Sequence, residues 1–119
     1  MSEVIKAVQR YYEAFGGGDM KSLRESLTPD FQFKGPLMAF DSPDSFVGAM
    51  SGLTFEATIT NSRFITEGNR VVHVFVWKLV APAHVDIPMC EVFEIDNGKV
   101  SSSEIFYDSR LLPSSTPAS

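Results

Sequence analysis

The segment Met89-Cys90-Glu91-Val92-Phe93 sets one carboxyl group inside an otherwise apolar run. A carboxyl in an apolar pocket loses the water that stabilises its charge, so its pKa rises. The result is a general acid, or a base poised near neutrality. The plainer alternative for Glu91 is a partly solvated carboxylate paired with an arginine or lysine, because ion pairs also perturb pKa values. His73 alternates with Phe75 and Trp77 along one face of a second segment. Its side chain titrates nearest neutral pH, which suits a general base or a hydrogen-bond donor, and a satisfied histidine of a pocket wall is the alternative. Met89 and Phe93 fall on the same face as Glu91, and Ser103 and Tyr107 share a face further on. Aromatic bulk with a few polar groups is the composition of a small-molecule pocket. Phe75, Trp77, Met89, Phe93, Ser103 and Tyr107 are therefore expected to contact a ligand. Cys90, on a central strand, reads as an inert buried thiol. Asp108 suits a cap or an ion pair with Arg110.

These residues need elements to hold them. Val4, Val8, Tyr11 and Phe15 recur at spacings of four, three and four, which predicts a helix over residues 2–15. Ile5 and Tyr12 widen its apolar face. Three glycines stop it, and Asp19 caps a second helix with Leu23 and Leu27 as its stripe, ended by Thr28-Pro29-Asp30. Phe31-Gln32-Phe33 predicts a short strand. Ser42-Pro43-Asp44 opens a third helix: a cap, a proline in the first turn, then an acid. From Leu53 the period changes to that of strands, with segments over about 53–66, 71–80, 87–95 and 99–108. Asn97-Gly98 is a hairpin turn, since both positions accept positive φ. Helices first and strands second predict an α+β fold, with three N-terminal helices on one face of a mostly antiparallel sheet. Val72, Val74, Val76 and Val92 make the opposite face apolar as well, which predicts a homodimer through that outer face.

The chain has 119 residues, the size of one domain, and 44% hydrophobic with 21% charged residues is a globular composition. Residues 1–112 read as that domain and 113–119, rich in Ser and Pro, as a disordered tail. A formal charge of −5 argues against nucleic-acid binding, which needs a basic face. One cysteine and two distant histidines make neither a disulfide nor a metal signature. No phosphate-binding loop or nucleophile elbow is present, so no cofactor and no metal are expected. No apolar run approaches the roughly 20 residues of a membrane span, and no signal peptide is visible, so a cytoplasmic protein without membrane partners is expected.

Three pieces stand in a set order: a first helix closing as Tyr11-Tyr12-Glu13-Ala14-Phe15, Gly18-Asp19 before a helix with Leu23 and Leu27, and a hairpin from Val92 to Val100 followed by Phe106-Tyr107-Asp108. Over about residues 2–112 the chain resembles the SnoaL-like branch of the nuclear-transport-factor-2-like superfamily, relatives of ketosteroid isomerases and polyketide cyclases. The resemblance implies a curved sheet wrapping three helices into a cone, with an internal pocket and usually a dimer. The superfamily also holds dehydratases, epoxide hydrolases and members without known catalysis, so fold does not decide activity. It places Glu91 near the acid that donates to the substrate carbonyl in ketosteroid isomerases, and Tyr11 where a helix tyrosine helps hold the oxyanion. A buried core tyrosine is the alternative for Tyr11. The chain departs from that isomerase at Phe33-Lys34-Gly35-Pro36, where Gly35 stands in place of the proton-shuttling carboxylate and Asp41 lies too far along. Two functions are therefore expected to compete. One is a cofactor-independent acid–base enzyme (isomerase, cyclase or dehydratase) on a small, apolar, oxygen-bearing molecule, using Glu91, Tyr11 and His73. The other is a non-catalytic ligand-binding or dimerisation module.

Overall fold

The computed structural model describes residues 3–53, 56–81 and 83–112. The expected tail over 113–119 lies outside them. Helix α1 spans Glu3–Gly16 and buries Ala7, Val8, Tyr11 and Ala14, while Val4 and Phe15 of the predicted stripe are half-buried. Gly18, at φ 69°, takes the left-handed turn that a side chain would resist, and the chain reverses into α2 (Met20–Glu25). The Asp19 carboxylate accepts from the Ser22 amide at 3.0 Å to cap it.

Helix α2 is shorter than the leucine spacing predicts. Leu27 belongs to strand β1 (Leu27–Lys34), which starts four residues before the expected Phe31. Pro29 lies inside β1 where the register with its neighbour shifts, a place where a missing N–H costs no ladder bond. Strand β2 (Ala39–Phe40) is a two-residue edge that no periodicity announces. Helix α3 (Pro43–Ser51) begins as predicted, with the Ser42 hydroxyl accepting from the Ser45 amide at 3.1 Å. Strands β3 (Glu56–Glu67), β4 (Arg70–Ala81), β5 (Val85–Asp96) and β6 (Lys99–Phe106) follow. Asn97 and Gly98 both have positive φ, 51° and 78°, as the hairpin between β5 and β6 requires.

One curved sheet results, in the order β2-β1-β6-β5-β4-β3. All pairs are antiparallel except β1 with β6. A hairpin cannot make a parallel pair, and here the long excursion through α3 and the meander brings β6 back beside β1. Helix α1 lies across the concave face, touching β3, β4, β5 and β6, and α3 packs on β1. Along β4 the inner residues Val71, His73, Phe75 and Leu79 are buried, while the outer Val72, Val74 and Val76 are half-buried. The outer rows run across strands: Ile65, Val72 and Val92 in one, Val74, Cys90 and Phe106 in the next. Ile65 is 60% exposed and Phe106 50%.

Candidate functional site

Strand pairing sets Glu91 of β5 between His73 of β4 and Ile105 of β6, all on the concave face. Helix α1 crosses above them, and its Tyr12 hydroxyl donates to Glu91 Oε1. The Ser103 hydroxyl of β6 donates to Oε2 at 2.6 Å. Glu91 is 3% exposed. Burial holds its pKa above the ordinary carboxylate range, and the bonds from Ser103 and Tyr12 only partly offset this. Tyr12 and Tyr11 are both pushed far up by burial and by the Glu91 charge, so both phenols stay protonated donors at neutral pH.

His73 lies behind Tyr12, its Nδ1 3.0 Å from the Tyr12 oxygen. Its Nε2 is 2.9 Å from the Ser62 hydroxyl. The ring is stacked between Phe64, with centroids 4.4 Å apart, and Phe75, at 4.3 Å. Burial pushes its pKa down to about 4, so the imidazole is neutral at pH 7. Ser62 reaches it because β3 is irregular: the register with β4 shifts between Thr60 and Arg63, and Asn61 turns left-handed at φ 57°. Such a bulge re-aims a side chain that strict alternation would point elsewhere.

A cavity of about 170 Å³ opens beside Glu91. Its wall is apolar and rich in aromatic rings, including Tyr11, Tyr12, Phe33, Phe46, Phe75 and Trp77, and among the described residues Glu91 is the one charged group on it. Met89 and Tyr107 also line it, as the strand faces predict. Burial raises the Tyr107 pKa. Three expected contacts sit elsewhere. His73 is separated from the cavity by Tyr12. Phe93 is fully buried in the core between Tyr11 and Tyr12, with ring centroids at 5.4 and 5.7 Å. Ser103 spends its hydroxyl on Glu91 below the wall. Tyr11 does line the cavity, but its neighbour Tyr12 is the phenol bonded to Glu91. Ser62 is the polar residue the periodicity passed over, and Tyr12 is placed by it on the apolar face with no role for its hydroxyl. An odd spacing of five between the inward Ile59 and Phe64 was the available signal for the bulge that aims Ser62. Asp108 accepts from the Arg110 amide at 3.0 Å and from its guanidinium at 2.8 Å, closing the short turn Ser109–Leu111 as a cap. Among the described residues no group of three His, Cys, Asp or Glu side chains could hold a metal ion.

Residues 8–103 match the family model of the SnoaL-like domain. The chain belongs to that family. Solved structures share its fold. A protein from Shewanella putrefaciens, classed with the SnoaL-like polyketide cyclases, superposes with a TM-score of 0.82 at 16% identity over 93% of each chain. A Mycobacterium tuberculosis LEH-like epoxide hydrolase gives 0.78 at 22% identity, over 92% of this chain and 85% of that one. A Catenulispora acidiphila protein with a ketosteroid isomerase-like fold, in complex with trimethylamine, gives 0.77 at 14% identity, over 88% and 87%. No curated protein matches the chain in sequence. In this SnoaL-like domain a Cβ at Gly35 would lie 3.1 Å from Ile105 Cγ2 and 3.4 Å from the Phe33 ring. The place where the isomerase resemblance calls for a carboxylate is therefore tight against apolar atoms. Among the described residues no helix is long and apolar enough to cross a membrane.

Proposed function

We propose that this SnoaL-like protein binds a small, largely apolar, oxygen-bearing molecule and moves a proton on it without a cofactor, as an isomerase, cyclase or dehydratase would. The observation that supports this is the single carboxyl, Glu91, buried on the wall of an aromatic cavity with hydroxyl donors on both oxygens. In this reading Glu91 is the acid or base, and the Tyr11 phenol donates to developing oxyanion charge. The cavity is of the size that takes one ring, since an apolar cavity of about 150 Å³ accepts benzene. The proposed relatives in chemistry are the cyclases, isomerases and epoxide hydrolases among proteins of this fold. A second reading, a binding module without turnover, is favoured by the fact that both Glu91 oxygens already have protein partners.

Thermal unfolding in the presence of ring-sized ketones, lactones and epoxides tests the proposal. A ligand at a hundred times its Kd adds about 2.7 kcal/mol, a clear rise in Tm. Conversion of a stabilising compound, followed by mass spectrometry or NMR, supports the enzyme. Stabilisation without conversion supports the module. No stabilisation across the panel sinks both.

The same reading includes a homodimer through the outer face of the sheet, working in a reducing cytoplasm where the lone Cys90 thiol stays unpaired. The rows through Val72 and Val74, ending in the exposed Ile65 and Phe106, form an apolar patch that touches four strands and is bordered by Arg63 of β3 and Glu104 of β6. Sedimentation at micromolar concentration is expected to show a species of twice the chain mass, and the pair Val74→Lys, Val92→Lys to return it to a single chain. A wild-type protein that sediments as one chain contradicts the dimer.

A further inference from the structure

Glu91 is cut off from solvent, yet a continuous line of hydrogen-bonding groups leads from it to the surface. The line runs from Glu91 Oε1 to the Tyr12 hydroxyl, to His73 Nδ1, through the ring to Nε2, and on to the Ser62 hydroxyl. Ser62 is exposed and Glu91 is buried, so the line joins the outside of β3 to the cavity floor. His73 touches nothing in the cavity, which leaves its alignment with both ends unexplained by ligand contact. We propose that Ser62, His73 and Tyr12 form a proton relay that recharges Glu91 from bulk solvent while the cavity is closed by ligand. It rests on the acid–base reading of Glu91.

The hydroxyl of Tyr12 has one proton, and this fixes two arrangements. With Glu91 ionised, Tyr12 donates to Oε1, His73 Nδ1–H donates to the Tyr12 oxygen, and the Ser62 hydroxyl donates to Nε2. To protonate Glu91, the Tyr12 proton moves to Oε1 and the Nδ1 proton moves to the Tyr12 oxygen. The Ser62 proton moves to Nε2, and Ser62 takes a proton from water. The Tyr12 and Ser62 oxygens each break one bond to hydrogen and form one, the ring loses a proton at Nδ1 and gains one at Nε2, and Oε1 gains one, so the net change is one proton gained and one negative charge lost. Afterwards Glu91 donates to Tyr12, Tyr12 to Nδ1, and Nε2–H to Ser62. Ser103 donates to Oε2 throughout. His73 begins and ends neutral and changes tautomer.

The environment suits this. The rings of Phe64 and Phe75 clamp the imidazole on both faces, so it cannot turn over to change its hydrogen-bond partners. The titratable groups acting on the line are Tyr11 and Tyr12 of α1, Glu91 itself and, from the far face of β5, Cys90. Among the described residues no lysine or arginine lines the cavity. With the His73 pKa near 4 and that of Glu91 raised, the carboxyl titrates while the ring stays neutral.

NMR of protein carrying labelled histidine and glutamate reads both ends at once, without any ligand. The Glu91 carboxyl carbon reports its titration and the His73 ring nitrogens report the tautomer. The expected result is a switch from Nε2–H at low pH to Nδ1–H at high pH, with the same midpoint as Glu91. In Tyr12→Phe, which keeps the ring and breaks the line, the Glu91 titration should persist and the switch should leave that midpoint. A His73 that keeps one tautomer through the Glu91 titration, or that becomes doubly protonated in step with it, overturns the relay. Failure of the acid–base reading shows differently, as absence of ligand conversion with the tautomer switch intact.

Discussion

Glu91→Gln is expected to abolish most turnover and yet leave the protein at least as stable as wild type at pH 7. The loss of a positioned acid or base should reduce the rate by about 100- to 10,000-fold. The stability half follows from linkage. Burial raises the Glu91 pKa, so between the ordinary glutamate value and the raised one the folded state holds a proton that the unfolded chain has released. Stability rises with pH where the unfolded state binds more protons, and here the folded state binds more, so it falls. The contribution is fully present below the ordinary glutamate value and is lost as pH climbs through the raised one. Glutamine removes that loss and keeps the bonds: its carbonyl can accept from Tyr12 while its amide donates to Ser103. Thermal unfolding from pH 4 to pH 8 should show the wild type falling relative to the variant as pH rises. A variant destabilised at pH 7 by more than about 1 kcal/mol, the scale of a lost hydrogen bond to a charged group, would mean that Glu91 is an ionised structural partner.

The largest effect on stability is expected at Phe46. Its side chain is fully buried where α3 closes over β1. Among the described residues five rings surround it: Phe33 at 5.0 Å between centroids, Phe31 at 5.1 Å, Phe40 at 5.9 Å, Tyr11 at 6.3 Å and Phe15 at 6.5 Å. Phe46→Ala removes a ring that neighbours on three elements cannot replace by closing in, and such truncations cost about 3–5 kcal/mol. A domain of this size has about 5–15 kcal/mol in all. The melting temperature should drop by roughly 10–20 °C. Because Phe46 also lines the cavity, any ligand-induced rise in Tm should vanish with it. Phe46→Leu, which keeps much of the volume, should cost clearly less. An alanine variant within about 1 kcal/mol of wild type would show that this aromatic cluster is loosely packed.

How much of this was legible beforehand depends on the range of the interaction involved. The stripe of α1, the capped start of α3, the Asn97-Gly98 turn and the alternating faces of β4, β5 and β6 are written in neighbours two to four residues apart. The inward direction of Glu91 and His73 follows from that alternation, and the family resemblance supplied the cone. The end of α2 was misplaced because Leu27 has helical spacing from Leu23 but takes its partner, Val100, from β6. Strand β2 is too short to have a period and exists because Phe40 and Ala39 pair with β1.

The site itself shows the boundary. Sequence alone put a carboxyl, an imidazole and tyrosines on inward faces, because side-chain direction along a helix or strand is local geometry. It could not say which of two adjacent tyrosines meets Glu91. Tyr11 and Tyr12 differ by about 100° around α1, and the choice is made by how that helix crosses the sheet. Nor could it place His73 behind Tyr12 rather than in the cavity, or bring Ser62 to its Nε2 through a bulge. Those contacts join residues 79, 61 and 11 apart in the chain. They exist only once tertiary packing has set the angle between α1 and the strands, and it is at those contacts that an apolar pocket with one acid acquires its path to solvent.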